Sequence, residues 1–296
     1  MDIKIRRKYT SNLRQMAFGG DQQEESLVEV LTYDEKGRLL ESRKWEMDGA
    51  IESNQYVYND DGKIIEHSMR LETEDVFEKF VFERDSKGRL ISENKFYGDD
   101  AGEKTVYEYG DWDTPIRITR YDADGELESI ESLEHDASGN LISHKKSDAA
   151  GVSLEQTFIT YDSNSKPISK SVVDSQQVAQ SVAEIVYDDQ GRVVRATDKN
   201  AAGMVVSDVI SQYDERGNVV LRKIRDFNSR ILRFEYNDQD QVLIEEVLDG
   251  NGNLIMRNTM EYDEHGNLLS ESEFWLDTGR GRGDGNSVSR FEYEFF

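Results

Sequence analysis

Apolar and polar positions alternate along most of this chain, and the alternation breaks at short polar clusters. Just before many of the breaks the pattern reads apolar-x-Tyr, as in Tyr56-x-Tyr58, Tyr107-x-Tyr109, Ile159-x-Tyr161, Ile185-x-Tyr187, Phe234-x-Tyr236, Met260-x-Tyr262 and Phe291-x-Tyr293. The middle residue is often charged: Glu108, Glu235, Glu261 and Glu292. A period of two predicts β-strands with one sheltered and one wet face. After the break comes an apolar pair, such as Leu39-Leu40, Ile64-Ile65, Val193-Val194 and Leu268-Leu269. No stretch sustains a helical period, so the expectation is all-β.

The breaks carry turn chemistry. Clear copies are Tyr33-Asp-Glu-Lys-Gly37, Tyr58-Asn-Asp-Asp-Gly62, Tyr187-Asp-Asp-Gln-Gly191, Tyr213-Asp-Glu-Arg-Gly217 and Tyr262-Asp-Glu-His-Gly266. Weaker ones end at Gly88, Gly139, Ser165 and Asp240, and a degenerate one runs from Tyr109 to Thr114. Successive turn ends at 37, 62, 88, 114, 139, 165, 191, 217, 240 and 266 lie 23 to 26 residues apart, which marks a tandem repeat. Asp or Asn opens the turn by accepting a backbone N–H two residues on. Gly closes it at a position of positive φ, as in a type I turn with a G1 bulge. Second turns fall about halfway through the repeats, at Asp48-Gly49, Gly102, Asp124-Gly125, Gly151, Gly203 and Asn251-Gly252. Each repeat is then a β-hairpin with strands of roughly eight or nine residues.

Three segments follow: a lead-in over 1–25, about ten hairpin repeats over 26–275, and a Gly/Arg loop with a final strand over 276–296. The Tyr-Asp-x-x-Gly-Arg-apolar signature at 33–39 and 187–193, with variants at 58–64, 213–219 and 262–268, resembles the YD or RHS repeat. That resemblance implies a long antiparallel sheet of hairpins, which in large RHS proteins winds into a shell around a toxin. About twenty strands at ~4.8 Å would extend on the order of 95 Å. A sheet that long is expected to twist or curl, so the predicted architecture is one open, spiral-like sheet. The chain looks like a stand-alone bacterial YD-repeat protein.

Composition narrows the function. Hydrophobic residues make up only 36% of the 296, and the mean hydropathy is -0.75, too polar for one large core. Aromatics at 10% argue against disorder. Asp and Glu total 61 against 36 Lys and Arg, a net charge of -25. Such a chain repels nucleic acid and anionic membranes and suits a basic protein partner. Cysteine is absent, and residues 1–14 contain neither a signal-peptide core nor a membrane span. The expected location is the cytoplasm, or the cell surface or exterior after removal of a signal.

Candidate chemistry is sparse. The carboxylates follow the repeat, and no copy departs from it to supply the two unlike carboxylates of a glycosidase. His67, His135, His144 and His265 are scattered, with no metal-ligand spacing. Asp249-Gly-Asn251-Gly-Asn253 opens like a calcium loop, but Leu254 and Met260 stand where that loop needs Gly and Glu. Arg282-Gly-Asp284 is an integrin-type tripeptide. Trp112, in the degenerate repeat, and Trp275, beside the Gly/Arg loop, are the candidate partner-binding residues. The reading is a non-enzymatic binding or scaffold protein, without cofactor or metal, offering an acidic β surface to a basic protein such as a toxin. The alternative is a glycan-binding surface module.

Overall fold

The computed structural model describes residues 2–12, 25–46, 49–72, 76–276 and 285–296. Strands β1 to β8 are Ile3–Asn12, Ser26–Tyr33, Leu39–Trp45, Ile51–Tyr58, Ile64–Leu71, Val76–Arg84, Leu90–Tyr97 and Asp100–Tyr109. Strands β9 to β15 are Pro115–Tyr121, Leu127–His135, Leu141–Asp148, Ser153–Tyr161, Pro167–Asp174, Ala179–Tyr187 and Val193–Asn200. Strands β16 to β22 are Val205–Tyr213, Val219–Arg225, Arg230–Tyr236, Val242–Asp249, Leu254–Tyr262, Leu268–Trp275 and Gly285–Phe295. Among the described residues there is no helix.

The expectation of an open, spiral-like sheet is overturned. The 22 strands form one antiparallel sheet, and β1 pairs with β2 on one side and with β22 on the other. First strand joins last, so the sheet closes as a single antiparallel β-barrel. The basic start of the chain is engaged in that closure. Arg7 Nη1 reaches Glu294 at 2.6 Å, Arg6 Nη2 reaches Glu29 at 2.5 Å and Lys8 Nζ reaches Glu271 at 3.6 Å. Arg6 and Lys8 also lie over the ring of Phe291, which is 7% exposed. Closure satisfies the backbone groups that two terminal edge strands would leave open.

The chain contains two compact units, one of residues 1–37, 186–197 and 205–296, the other of residues 38–185 and 198–204. In the first, β16 to β22 pair in sequence order and β22 continues to β1 and β2. In the second, β3 to β14 pair in sequence order. Both carry the same register device. At most Tyr-Asp turns the ladder shifts by one residue at the last strand position, as at Tyr58, Tyr161 and Tyr262, which is the bulge the turn requires.

A single-layer sheet has little interior. Leu248 and Phe291 are the buried hydrophobic residues among those described, and most other buried positions hold small polar side chains such as Ser92, Thr119, Ser143 and Thr157. Longer cross-strand neighbours cover these short ones. Apolar burial is therefore spread thinly over every strand, as the low hydropathy requires.

Of the second turns expected from the sequence, Gly102 is misplaced. It lies inside β8, where a Cβ would come 2.8 Å from the Tyr97 ring. The chain reverses instead at Gly98, whose φ is +62°. Asp48 and the Arg282-Gly-Asp284 tripeptide lie outside the described residues.

Candidate functional site

The repeated signature turns out to be structural almost atom by atom. In each Tyr-Asp turn the Asp or Asn carbonyl accepts the closing N–H, as Gly266 to Asp263 at 3.0 Å. The Asp side chain then accepts the next two alternate N–H groups, as His265 and Asn267 on Asp263 Oδ1 at 2.9 and 2.8 Å. The Tyr hydroxyl donates to the carbonyl that begins the strand after the preceding Tyr-Asp turn: Tyr58 to Leu39, Tyr109 to Leu90, Tyr161 to Leu141, Tyr213 to Val193 and Tyr262 to Val242, at 2.7 to 3.0 Å. Burial pushes the Tyr109, Tyr161 and Tyr262 phenols up, which keeps them donors.

The residue after the turn glycine completes the link. Arg38, Arg89 and Arg192 lie 4.8, 4.4 and 4.6 Å from the ring centres of Tyr58, Tyr109 and Tyr213. Their Nη1 atoms donate to the backbone of the next turn, at Asn59, Trp112 and Asp214. Where Tyr is missing a substitute acts: Arg84 donates to the Ile64 carbonyl at 3.3 Å, and His135 bonds Thr114 at 2.8 Å.

Trp112 is 39% exposed, and one face of its indole lies on Gly139 of the neighbouring turn, where a Cβ would stand 2.8 Å away. Trp275 pairs with Gly285 and its indole fills the space a Cβ there would take. The two residues sit in separate contacts and are not brought together into one site. His67 is stacked between Tyr56 and Phe80 at 4.6 and 5.6 Å, and burial lowers its pKa. His144 joins Arg120 on Glu131, which is 7% exposed. Burial pushes the Glu131 carboxyl up, but the two hydrogen bonds outweigh it and hold it below its ordinary range. No group of His, Cys, Asp or Glu among the described residues has the geometry of a metal centre.

The concavity with the most distinctive chemistry is an open notch of about 510 Å³ at the edge opposite the Tyr-Asp turns, between β7, β8 and the β9–β10 turn. Phe96, Val106 and Tyr121 line it together with Lys104, which stands opposite Asn94 and Tyr121, and with Glu103, Asp122 and Asp124. Hydrogen bonds to Glu103 from the backbone and from the Tyr97 hydroxyl, the latter at 2.9 and 3.0 Å, hold its carboxyl below the usual range. Asp122 Oδ1 accepts the N–H groups of Asp124 and Glu126 at 3.0 and 2.9 Å, which leaves the exposed Asp124 and Glu126 carboxylates facing solvent. Lys95 is engaged with Glu78 at 3.1 Å and lies over the Tyr97 ring. An apolar floor with a carboxylate rim suits the alkyl stem and cationic head of a lysine or arginine. The Asp-Ala-Asp-Gly-Glu run at 122–126 was the available sequence signal; the apolar floor comes from neighbouring strands and had none.

No family model matches this chain, and no curated protein matches it. Several solved structures resemble it distantly. A TcdB2-TccC3 structure without its hypervariable C-terminal region aligns over 89% of this chain and 16% of that one, at 13% identity and a TM-score of 0.47. The Photorhabdus luminescens Tc holotoxin pore aligns over 94% of this chain and 20% of that one, at 11% identity and a TM-score of 0.33. A porin-like protein from Bacteroides uniformis aligns over 99% and 96% of the two chains, at 9% identity and a TM-score of 0.38. At these scores the likenesses carry nothing about ligand or partner.

Proposed function

We propose that this is a stand-alone YD-type repeat protein that acts without catalysis, binding a basic protein through carboxylates displayed on its turns. The acidic notch at Glu103, Asp122 and Asp124 carries the reading, since it joins three carboxylates, that of Asp124 exposed, to the apolar side chains of Phe96, Val106 and Tyr121. The turn chemistry supports it. The first acid of each turn is engaged by backbone N–H groups, whereas the exposed second acids, such as Glu35, Asp189, Glu215 and Glu264, stand in solvent. Such a surface steers a cationic partner from a distance and holds it in a salt-sensitive way.

Neither face of the sheet is dressed for lipid. Arg120 and Glu131 meet at mid-strand on the face that carries Tyr107 and Leu133, and Arg195 and Asp208 meet at mid-strand on the other. Ionised groups at such positions oppose a lipid-facing band.

The test is capture by the full chain from lysate and secreted fractions of the source organism, eluted with a salt step. A basic protein released by salt, and lost with Asp124→Asn/Glu126→Gln, is the expected result. Capture of nothing above background at any salt would overturn the proposal.

A further inference from the structure

A second charged surface has the opposite sign. It lies on the face of β15 to β20 that does not carry the residues two before each turn tyrosine. Arg225 stands opposite Asp208, Lys223 opposite Ile210 and Ile231, and Arg233 opposite Leu221 and Glu246. Arg257 stands opposite Glu246 and hydrogen-bonds to it. Arg195 reaches Asp208 Oδ1 at 2.7 Å, and Arg225 reaches Asp208 Oδ2 at 3.9 Å. Residues that face one another across an antiparallel ladder share a face, so these five cations sit there with four carboxylates: Asp208, Glu246, Glu235 next to Arg233 on β18, and Glu261 beyond Arg257 on β20. In the whole chain acids outnumber bases by 61 to 36.

The burial of the two signs differs. The Asp208 and Glu246 side chains are 6% and 18% exposed, while those of Arg195, Arg225 and Arg257 are 52%, 65% and 49% exposed. Over Asp208 and Glu246 solvent therefore meets guanidinium groups, with those two carboxylates beneath, while Glu235 and Glu261 stand exposed beside Arg233 and Arg257. Asp208 holds its charge well, because the Arg195 hydrogen bond keeps its carboxyl below the usual range. The buried acids fix the arginine heads in place and pre-organise the strip, which spans about 24 Å across the strands.

We propose that this strip is a docking surface for an acidic polypeptide segment. The argument is charge complementarity joined to the pattern between the charges. Ile210, Leu221 and Ile231 alternate with Lys223 and Arg233 in the ladder, a checkerboard of cation and aliphatic side chain. A peptide that mixes carboxylates with aliphatic residues matches both. An anionic glycan would set hydroxyls against the aliphatic positions. The surface is separate from the acidic notch, and its partner has the opposite charge.

The experiment is a fluorescence anisotropy titration of the full chain with three labelled probes: a short peptide of Glu and Leu, its Gln-for-Glu counterpart, and a sulfated oligosaccharide. Saturable binding of the Glu peptide alone is expected. It should weaken about tenfold in Lys223→Glu/Arg233→Glu, two exchanges on an exposed surface, and stay unchanged in the control Lys146→Glu/Lys170→Glu. Where the charge-reversed chain fails to fold, Lys223→Gln/Arg233→Gln is read in its place, and loss in the same direction is expected. Equal binding of the Gln peptide, binding of the sulfated oligosaccharide in place of the peptide, no binding of any probe, or indifference to the strip variants would each overturn the proposal.

Discussion

The two edges of this sheet use one backbone turn for two purposes. At the Tyr-Asp edge, the residue after the turn end reaches across to the next repeat. Arg89 and Arg192 donate to backbone carbonyls of the following turn, Gln241 donates to the Gly266 carbonyl at 2.8 Å, and Asn140 donates to Ser165 Oγ at 3.1 Å. At the opposite edge the turns over Asp148, Asp174 and Asn200 close with the same two backbone hydrogen bonds. There the equivalent residues are Val152, Val178 and Met204, exposed by 57%, 53% and 61%. The first edge fastens repeat to repeat, so its sequence is held to a signature. The second edge needs only its turns, so its side chains are free to differ, and the acidic notch lies there.

Replacing glycines tests that contrast most strongly. Gly139→Ala at the Tyr-Asp edge adds left-handed strain, at φ +84°, to a collision with the Trp112 ring. Gly203→Ala at the other edge has the strain alone, at φ +75°, with nothing within 4 Å. The expected losses are more than 2 kcal/mol for the first and about 1–2 kcal/mol for the second, read by urea unfolding. Equal losses would break the contrast.

Tyr262→Phe removes the hydroxyl that donates to the Val242 carbonyl at 3.0 Å. A loss of about 1 kcal/mol is expected. Val178→Ser, at the free edge, should stay within about 0.5 kcal/mol of the parent. Thermal melts of the two variants side by side give the comparison.

A finer test uses the non-glycine residues at positive φ. Ser165 and Asp240, at +59° and +61°, accept hydrogen bonds from Asn140 and Asn218 of the preceding Tyr-Asp turns. Gln177, at +62°, lies at the opposite edge. Gln177→Gly should stabilise by up to about 1 kcal/mol by relieving strain. Ser165→Gly should be close to neutral, because the lost hydrogen bond, about 1 kcal/mol, offsets the relief.

Acid should act on both edges alike, with the smallest effect per residue. The Asn140 side chain on Asp136 and the Asn267 side chain on Asp263 lower those carboxyls at the Tyr-Asp edge. The Val178 N–H on Asp174 and the Asn253 side chain on Asp249 do so at the other. A carboxyl lowered in the folded state stabilises it above its unfolded pKa, and that contribution is lost as pH falls toward the folded value. The melting temperature should hold down to about pH 4 and fall below it. A fall beginning near neutrality would implicate other groups, His67 among them.

Much of this was legible in the sequence because it is local. The Asp and Gly of each Tyr-Asp turn, the bulge and the sheltered tyrosine all follow from a few adjacent residues. Ser165 and Asp240 stand at positive φ where other copies have Gly; the side-chain bonds from Asn140 and Asn218 offset that strain and have no signal in the local sequence. Closure was not legible, since the β1–β22 ladder joins residues such as Ile3 and Phe295, and a period says nothing about whether its ends meet. Arg6, Arg7 and Lys8, in the lead-in, pair with Glu29, Glu294 and Glu271, but nothing local in the sequence names those partners. The degenerate repeat draws the eye to Trp112, yet the notch lies at the opposite edge and depends on Phe96, Val106 and Tyr121, three ordinary strand residues brought together by register. The cationic strip was hidden for the same reason, diluted in a chain of net charge -25.

Because the first strand pairs antiparallel with both the second and the last, the ring obeys a parity rule. An antiparallel ring closes only with an even number of strands. A single inserted or deleted strand would force one parallel seam between the first and last strands, with a slanted and slightly less stable ladder. A lineage carrying this fold can therefore grow or shrink only by whole hairpins, and duplication of one repeat of about 26 residues is the smallest step that leaves every neighbour antiparallel.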